Sequence, residues 1–235
     1  MPLLFFERAQ AHPGRVALRR KRLGLWEELS WKDYEQGVRT VASALLPLGR
    51  PPGGPVGLIG ENSVEWLMCD LGILAAGGVT VAMYTTSSTA QVEYILSHSG
   101  ARLLIVDSEE QLDKALELRE RHALDRIVVI DDKGLARFRD DGVLFWSEFL
   151  ELGEKALAEN VPEIDTRCGA IDPNQLAILV YTSGTTGPPK GVMLSHANIV
   201  WACGAMRHLV APREDDELLS FLPLCHIAGR RITVF

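Results

Sequence analysis

Short apolar runs alternate with helix-opening polar residues along the first half of the chain, and this alternation restricts the fold more than any other feature. Residues 56–59 (VGLI) read as a strand, and Asn62-x-x-Glu65 resembles a capping box that opens a helix to about residue 76. Residues 79–83 form the next strand, and Ser88-x-x-Gln91 opens a helix that buries Val92, Ile95 and Leu96 at helical spacing. A strand follows at 103–106, a helix from Ser108-x-x-Gln111 to about residue 122, and another strand at 127–130. Ahead of these, Trp31, Tyr34, Val38, Val41, Ala42 and Leu45 mark one face of a helix starting near Ser30. The pattern predicts an α/β fold with largely parallel sheets flanked by helices. Residues 153–174 are polar, contain Pro162 and Pro173, and read as a linker. Residues 1–170 are thus expected to form a first subdomain and 171–235 the start of a second. Such alternation sets fold class and leaves function open.

Charge and cysteine usage narrow the field. The chain carries a formal net charge of −7 and scattered arginines, which argues against a nucleic-acid partner. Its one dense basic run, Arg19-Arg20-Lys21-Arg22, reads as a solvated turn ahead of Leu23-Gly24-Leu25-Trp26. Cys69, Cys168, Cys203 and Cys225 are widely spaced with no C-x-x-C, so neither a zinc site nor a disulfide scaffold is expected, and a reduced cytoplasmic chain is. The apolar start at residues 1–6 runs at once into Glu7-Arg8 and is too short for a signal peptide. The longest apolar stretch, 66–84, is broken by Asp70 and Gly77-Gly78 and reads as a buried helix followed by a strand, with no transmembrane segment.

The chemistry concentrates at 181–196, YTSGTTGPPKGVMLSH. After the apolar run 176–181 come Thr182, Ser183, Gly184, Thr185, Thr186 and Gly187, then two prolines and Lys190. Glycine lets backbone approach an anion closely, hydroxyls donate to phosphate oxygens, and lysine adds a point charge. Together they suit a polyphosphate cradle. A Walker A loop is a poor match: counted from Gly184, its second glycine is Pro189, and Gly191 stands where Ser or Thr should follow the lysine. Residues 191–195 read as a second extended run, so the loop is expected to join two strands rather than enter a helix.

This loop closely resembles the signature of the adenylate-forming, AMP-binding enzymes, which include acyl-CoA synthetases, luciferases and the adenylation domains of peptide synthetases. Two further stretches resemble the long-chain fatty acyl-CoA synthetase branch: YTTSSTAQVEYILSHS at 84–99 and LSFLPLCHIAGR at 219–230. The resemblance implies the acyl-CoA synthetase-like fold, incomplete at its C-terminus. It also implies a reaction in which a fatty acid carboxylate attacks ATP, pyrophosphate leaves, and coenzyme A takes the acyl group from the adenylate. By the same resemblance, Thr182, Ser183, Gly184, Thr185, Thr186, Gly187 and Lys190 would bind the nucleotide, and the Thr182 hydroxyl would touch Mg2+. His226 would be the catalytic residue, at the edge of the acyl pocket near the carboxylate and the α-phosphate. Arg230 or Arg231 could face phosphate, with two solvated arginines as the competing reading. Glu61, Asn62 and Trp66 also echo the family, although packing and capping account for them.

The resemblance covers only the first part of such an enzyme. None of Tyr34, Tyr84, Tyr94 and Tyr181 precedes a glycine, so the family's later Tyr-Gly-x-Thr-Glu segment, whose glutamate would complete the magnesium site, is not among these residues. The leading expectation is therefore the N-terminal part of a long-chain fatty acid–CoA ligase with little or no turnover alone. Exposed apolar surface should make it a homodimer or an associate of a missing C-terminal half. Two alternatives stay open: an adenylating enzyme for another carboxylate, and a non-catalytic nucleotide-binding or oligomerising remnant.

Overall fold

The computed structural model describes residues 1–48, 51–122, 124–182, 188–213 and 216–233, the last three as backbone only. The strands are β1 (Val16–Arg22), β2 (Leu25–Ser30), β3 (Pro55–Ile59), β4 (Val79–Met83), β5 (Leu103–Val106), β6 (Arg126–Val129), β7 (Val143–Phe145), β8 (Leu176–Thr182) and β9 (Lys190–Ser195). The helices are α1 (Pro2–Ala11), α2 (Trp31–Leu45), α3 (Val64–Ala75), α4 (Thr89–Ser99), α5 (Glu109–Arg119), α6 (Trp146–Ala170), α7 (His196–Val210) and α8 (Ile227–Thr233). A seven-stranded sheet in the order β7-β6-β5-β3-β4-β8-β9 carries the fold, and β1 and β2 form a separate antiparallel pair. From β7 to β8 every ladder is parallel; only β9 runs antiparallel, against β8.

Both faces of the sheet are covered, which is why its strands read as unbroken apolar runs rather than alternating ones. On β5, Leu103 and Ile105 join the cluster formed with Val38, Val41, Trp66, Leu71 and Phe149 from α2, α3 and α6. Leu104 and Val106, pointing the other way, pack with Val92, Leu96, Leu112 and Leu118 from α4 and α5. The predicted helix starts are present. Ser30 with Asp33 and Ser88 with Gln91 form reciprocal capping boxes. At α3 the cap is Ser63, whose hydroxyl accepts from the Trp66 NH at 3.0 Å, and Asn62 is left for another task.

Two local expectations are corrected. The polar stretch 153–174 is no linker: residues through Ala170 belong to the 25-residue helix α6, with Pro162 inside it. Its polarity is that of a solvated face. Its buried positions, Phe149, Gly153, Ile164 and Cys168, are sparse, and Gly153 lets α2 come close enough for the Ser43 hydroxyl to donate to the Gly153 carbonyl at 2.8 Å. The basic run 19–22 is part of strand β1, not a turn, because Glu28 and Glu27 stand opposite Arg19 and Arg20 across the ladder. After α6 the chain returns to the same sheet, where β8 pairs with β4 (Thr80↔Ile178 through Ala82↔Val180).

Candidate active site at the carboxyl edge of the sheet

Parallel strands all end at one edge, and in open α/β sheets that edge is where ligands bind. Here β3 ends into Gly60-Glu61-Asn62, β4 into Tyr84-Thr85, β5 into Asp107 and β8 at Thr182. These termini are knitted together. The Asp107 carboxylate accepts from the Glu61 NH at 2.8 Å, the Thr85 hydroxyl donates to Glu61 at 2.5 Å, and Lys114 from α5 donates to the Thr85 carbonyl at 2.9 Å.

Of the sequence-predicted nucleotide ligands, Ser183, Gly184, Thr185, Thr186 and Gly187 lie outside the described residues. Thr182 and Lys190 are described, and they are register partners at the open end of the β8–β9 pair, both exposed. The loop therefore spans a β-hairpin, as the extended run after it predicted. A threonine and a lysine thus stand opposite each other in the ladder at its mouth, residue types that supply a donor and a cation suited to phosphate oxygens. Just inside, Tyr181 is buried and its hydroxyl is 2.8 Å from Nδ1 of His98 on α4, with Tyr94 stacked on the same imidazole. Burial, with Tyr94 as the lesser cause, raises the Tyr181 pKa, so the phenol stays protonated at neutral pH.

The stretch 219–226 reaches the same edge through Asn62. Its amide donates to the Leu222 carbonyl at 2.8 Å and accepts from the Leu224 NH at 2.9 Å, so a side chain expected to cap α3 instead clamps another segment's backbone. Leu224 and Cys225 are buried beneath this clamp, and burial pushes the Cys225 thiol up to about 12. His226 is exposed, and its Nδ1 accepts from the Ala228 NH at 3.2 Å. Among the described residues no hydrogen bond or ion pair joins His226 to Thr182 or Lys190.

Arg230 is corrected more sharply. It faces neither phosphate nor solvent: it is fully buried, with Nε donating to Asp70 at 2.6 Å and the guanidinium over the Trp66 ring at 5.3 Å. Asp70 also accepts from the Thr80 hydroxyl at 2.7 Å. Burial lowers the guanidinium to about 9, which still leaves it charged at neutral pH. The Arg231 side chain lies outside the described residues.

The residues missed by sequence reasoning were His98, which sits within the quoted 84–99 stretch, and Asp70, noted only as a break in an apolar run. A carboxylate in an otherwise buried helix demands a partner, and that was the available signal. Among the described residues no three His, Cys, Asp or Glu side chains cluster as a metal site. Magnesium held mainly by substrate phosphates needs only one or two protein oxygens, and the exposed Thr182 hydroxyl fits that mode.

A doubly covered parallel sheet with a hairpin mouth at its carboxyl edge defines an α/β protein of the class that binds ligands at that edge. The chain belongs to the AMP-binding enzyme family, matching it over residues 5–235. It is 35% identical over 239 residues to the long-chain-fatty-acid–CoA ligase ACSBG2 of Xenopus laevis, covering 99% of this chain and 31% of that protein. To the human long-chain-fatty-acid–CoA ligase ACSBG1 it is 36% identical over 233 residues, covering 97% of this chain and 31% of the relative. The chain thus spans about a third of the length of these curated relatives. Among solved structures, the inhibitor-bound N-terminal domain of FACL13 from Mycobacterium tuberculosis shares the fold with a TM-score of 0.75 at 23% identity, over 100% of this chain and 54% of that one.

Proposed function

We propose that this chain is the N-terminal part of an ATP-dependent long-chain fatty acid–CoA ligase, which adenylates a fatty acid and passes the acyl group to coenzyme A. The observation that carries the reading is the convergence of two segments on one sheet edge: the Thr182–Lys190 hairpin mouth and the His226 turn, the latter held there by Asn62. In this reading Thr182, Ser183, Gly184, Thr185, Thr186 and Gly187 hold the β- and γ-phosphates through amides and hydroxyls, and Lys190 adds charge at the loop's exit. Thr182 offers its hydroxyl to Mg2+, which when bound neutralises charge on the departing pyrophosphate. In the same reading, the exposed His226 donates to the carboxylate or α-phosphate oxygens. No general base is required, because a fatty acid carboxylate is already ionised at neutral pH.

Residues 171–235 are, in this reading, the start of a second subdomain attached through the β4–β8 ladder, and the reaction as a whole belongs to the longer protein. A cytoplasmic location belongs to the same reading. Among the described residues no helix is long and apolar enough to cross a membrane. The alternative of nucleotide binding with association and no turnover draws support from one observation. Large apolar side chains lie exposed on α7 (Trp201, Leu209) and at Leu218, Leu219 and Phe221.

The test is ATP-dependent thermal stabilisation of the chain, followed by fatty-acid-dependent exchange of labelled pyrophosphate into ATP. Lys190→Ala should abolish most of the stabilisation. Strong stabilisation that survives the substitution unchanged would show that the phosphates bind elsewhere. Stabilisation without exchange would assign this chain the nucleotide site and leave adenylation to the longer protein.

A further inference from the structure

The β1–β2 hairpin ends in a feature that its own fold does not need. Leu23 and Gly24 form the two-residue turn, with φ of 48° and 85°. Two successive positive φ values define the tight hairpin turn that favours Asn-Gly, and a leucine held at positive φ is strained. Leu23 is 97% exposed, and the first residues of β2 beside it, Leu25 and Trp26, are 74% and 63% exposed. Three large apolar side chains thus stand exposed within four residues of one hairpin end, where an asparagine would serve the turn better. Scattered exposed leucines are ordinary; three large exposed apolar residues gathered at one hairpin end are not.

The charges around the tip are ordered along the hairpin. Arg22 is the register partner of Leu25, and Lys21 of Trp26, both exposed. Neither has an ion-pair partner among the described residues. One and two steps further from the tip, Arg20 is bound to Glu27 and Glu65, and Arg19 to Glu28 and Glu217. The hairpin therefore presents Leu23 at its point, then Leu25 and Trp26 flanked at the same level by a basic collar unpaired among the described residues, then a belt in which carboxylates neutralise the arginines and fix the base against α3 and the segment at 217. Tryptophan and leucine beside lysine and arginine is the composition that enters a lipid interface: the ring and alkyl groups reach the acyl boundary while the long cationic side chains extend back to lipid phosphates. The opposing net charge of −7 leaves the collar as the local contact for an anionic surface.

We propose that the tip formed by Leu23, Leu25 and Trp26, with Lys21 and Arg22, docks the protein peripherally on an anionic lipid surface. The proposal goes beyond the ligase reading and does not depend on it. Its test is co-sedimentation of the full chain with vesicles of phosphatidylcholine containing phosphatidylserine, compared with phosphatidylcholine alone. Leu23→Asn is the central variant, because asparagine suits the turn and should keep or raise the thermal midpoint while lowering the partition coefficient about ten-fold or more. Trp26→Ser should act in the same direction, and Lys21→Gln with Arg22→Gln should remove the preference for phosphatidylserine. Trp201→Ser, on the exposed face of α7, should change nothing. The proposal is overturned if the chain ignores both vesicle types, or if binding survives Leu23→Asn and Trp26→Ser. It is equally overturned if sedimentation without lipid shows self-association that those two variants abolish, which would make the tip a contact between copies. Nucleotide stabilisation, read separately, reports on the ligase reading alone.

Discussion

The buried pair of Asp70 and Arg230 offers a quantitative test of how α8 is held to the rest of the molecule. Both side chains are fully buried, and Asp70 has two donors, Arg230 Nε at 2.6 Å and Thr80 Oγ1 at 2.7 Å. At contact distance, with an effective dielectric near 20, the attraction is about 4 kcal/mol. Removing one partner strands the other charge in the core, at a cost of about 3–5 kcal/mol. Arg230→Met and Asp70→Asn should therefore each destabilise by about 3 kcal/mol or more. The double variant should fare far better than their sum. The amide introduced by Asp70→Asn could still accept from Thr80, and the methionine introduced by Arg230→Met could pack on Trp66, where the guanidinium now lies 5.3 Å from the ring centroid. The expected coupling is about 3 kcal/mol, read from urea unfolding of the four proteins in a double-mutant cycle. If the two losses add to within about 0.5 kcal/mol, the residues are independent and the reasoning fails.

Packing of α6 can be tested at two glycines. A Cβ on Gly153 would lie 2.2 Å from the Thr40 carbonyl, so Gly153→Ala should lower stability by about 1–3 kcal/mol. Gly169→Ala, with open space around it in the same helix, should gain about 0.5–1 kcal/mol, and thermal midpoints of the pair decide the matter. His196, buried at the start of α7, supplies a pH dependence. Burial, with the chain-terminal ammonium adding to it, pushes this imidazole down to about 4. The folded protein keeps it neutral while the unfolded chain protonates below about 6.5, so stability is full above that pH and is lost as pH falls from about 6.5 to 4. The expected loss is on the order of 3 kcal/mol, and His196→Gln should flatten that part of a denaturant-midpoint profile.

Local sequence rules captured whatever depends on neighbours along the chain. Ser30 and Ser88 begin helices because their hydroxyls meet amides three residues on, and the runs at 56–59, 79–83 and 103–106 are strands because both faces of a parallel sheet are buried. The rules failed where a distant partner decided the outcome. Residues 153–170 look like a linker until α2 is present to pack on Gly153 and to bond Asn160 and Asp165 through Ser43 and Arg39. Arg19 and Arg20 look like a solvated turn until Glu28 and Glu27 stand across from them.

The site divides along the same line. The order of residues from Thr182 to Lys190 determined by itself that a hydroxyl- and glycine-rich loop joins two extended runs, because turn chemistry and a cation at fixed spacing are local properties. Only the tertiary structure decided that this hairpin stands at the carboxyl edge of a parallel sheet and that Asn62 draws the His226 turn to that edge. The same holds for Arg230, which sinks into the core rather than reaching for phosphate. A side chain's partner 160 residues away is set by which surfaces pack, and no spacing along the chain encodes it.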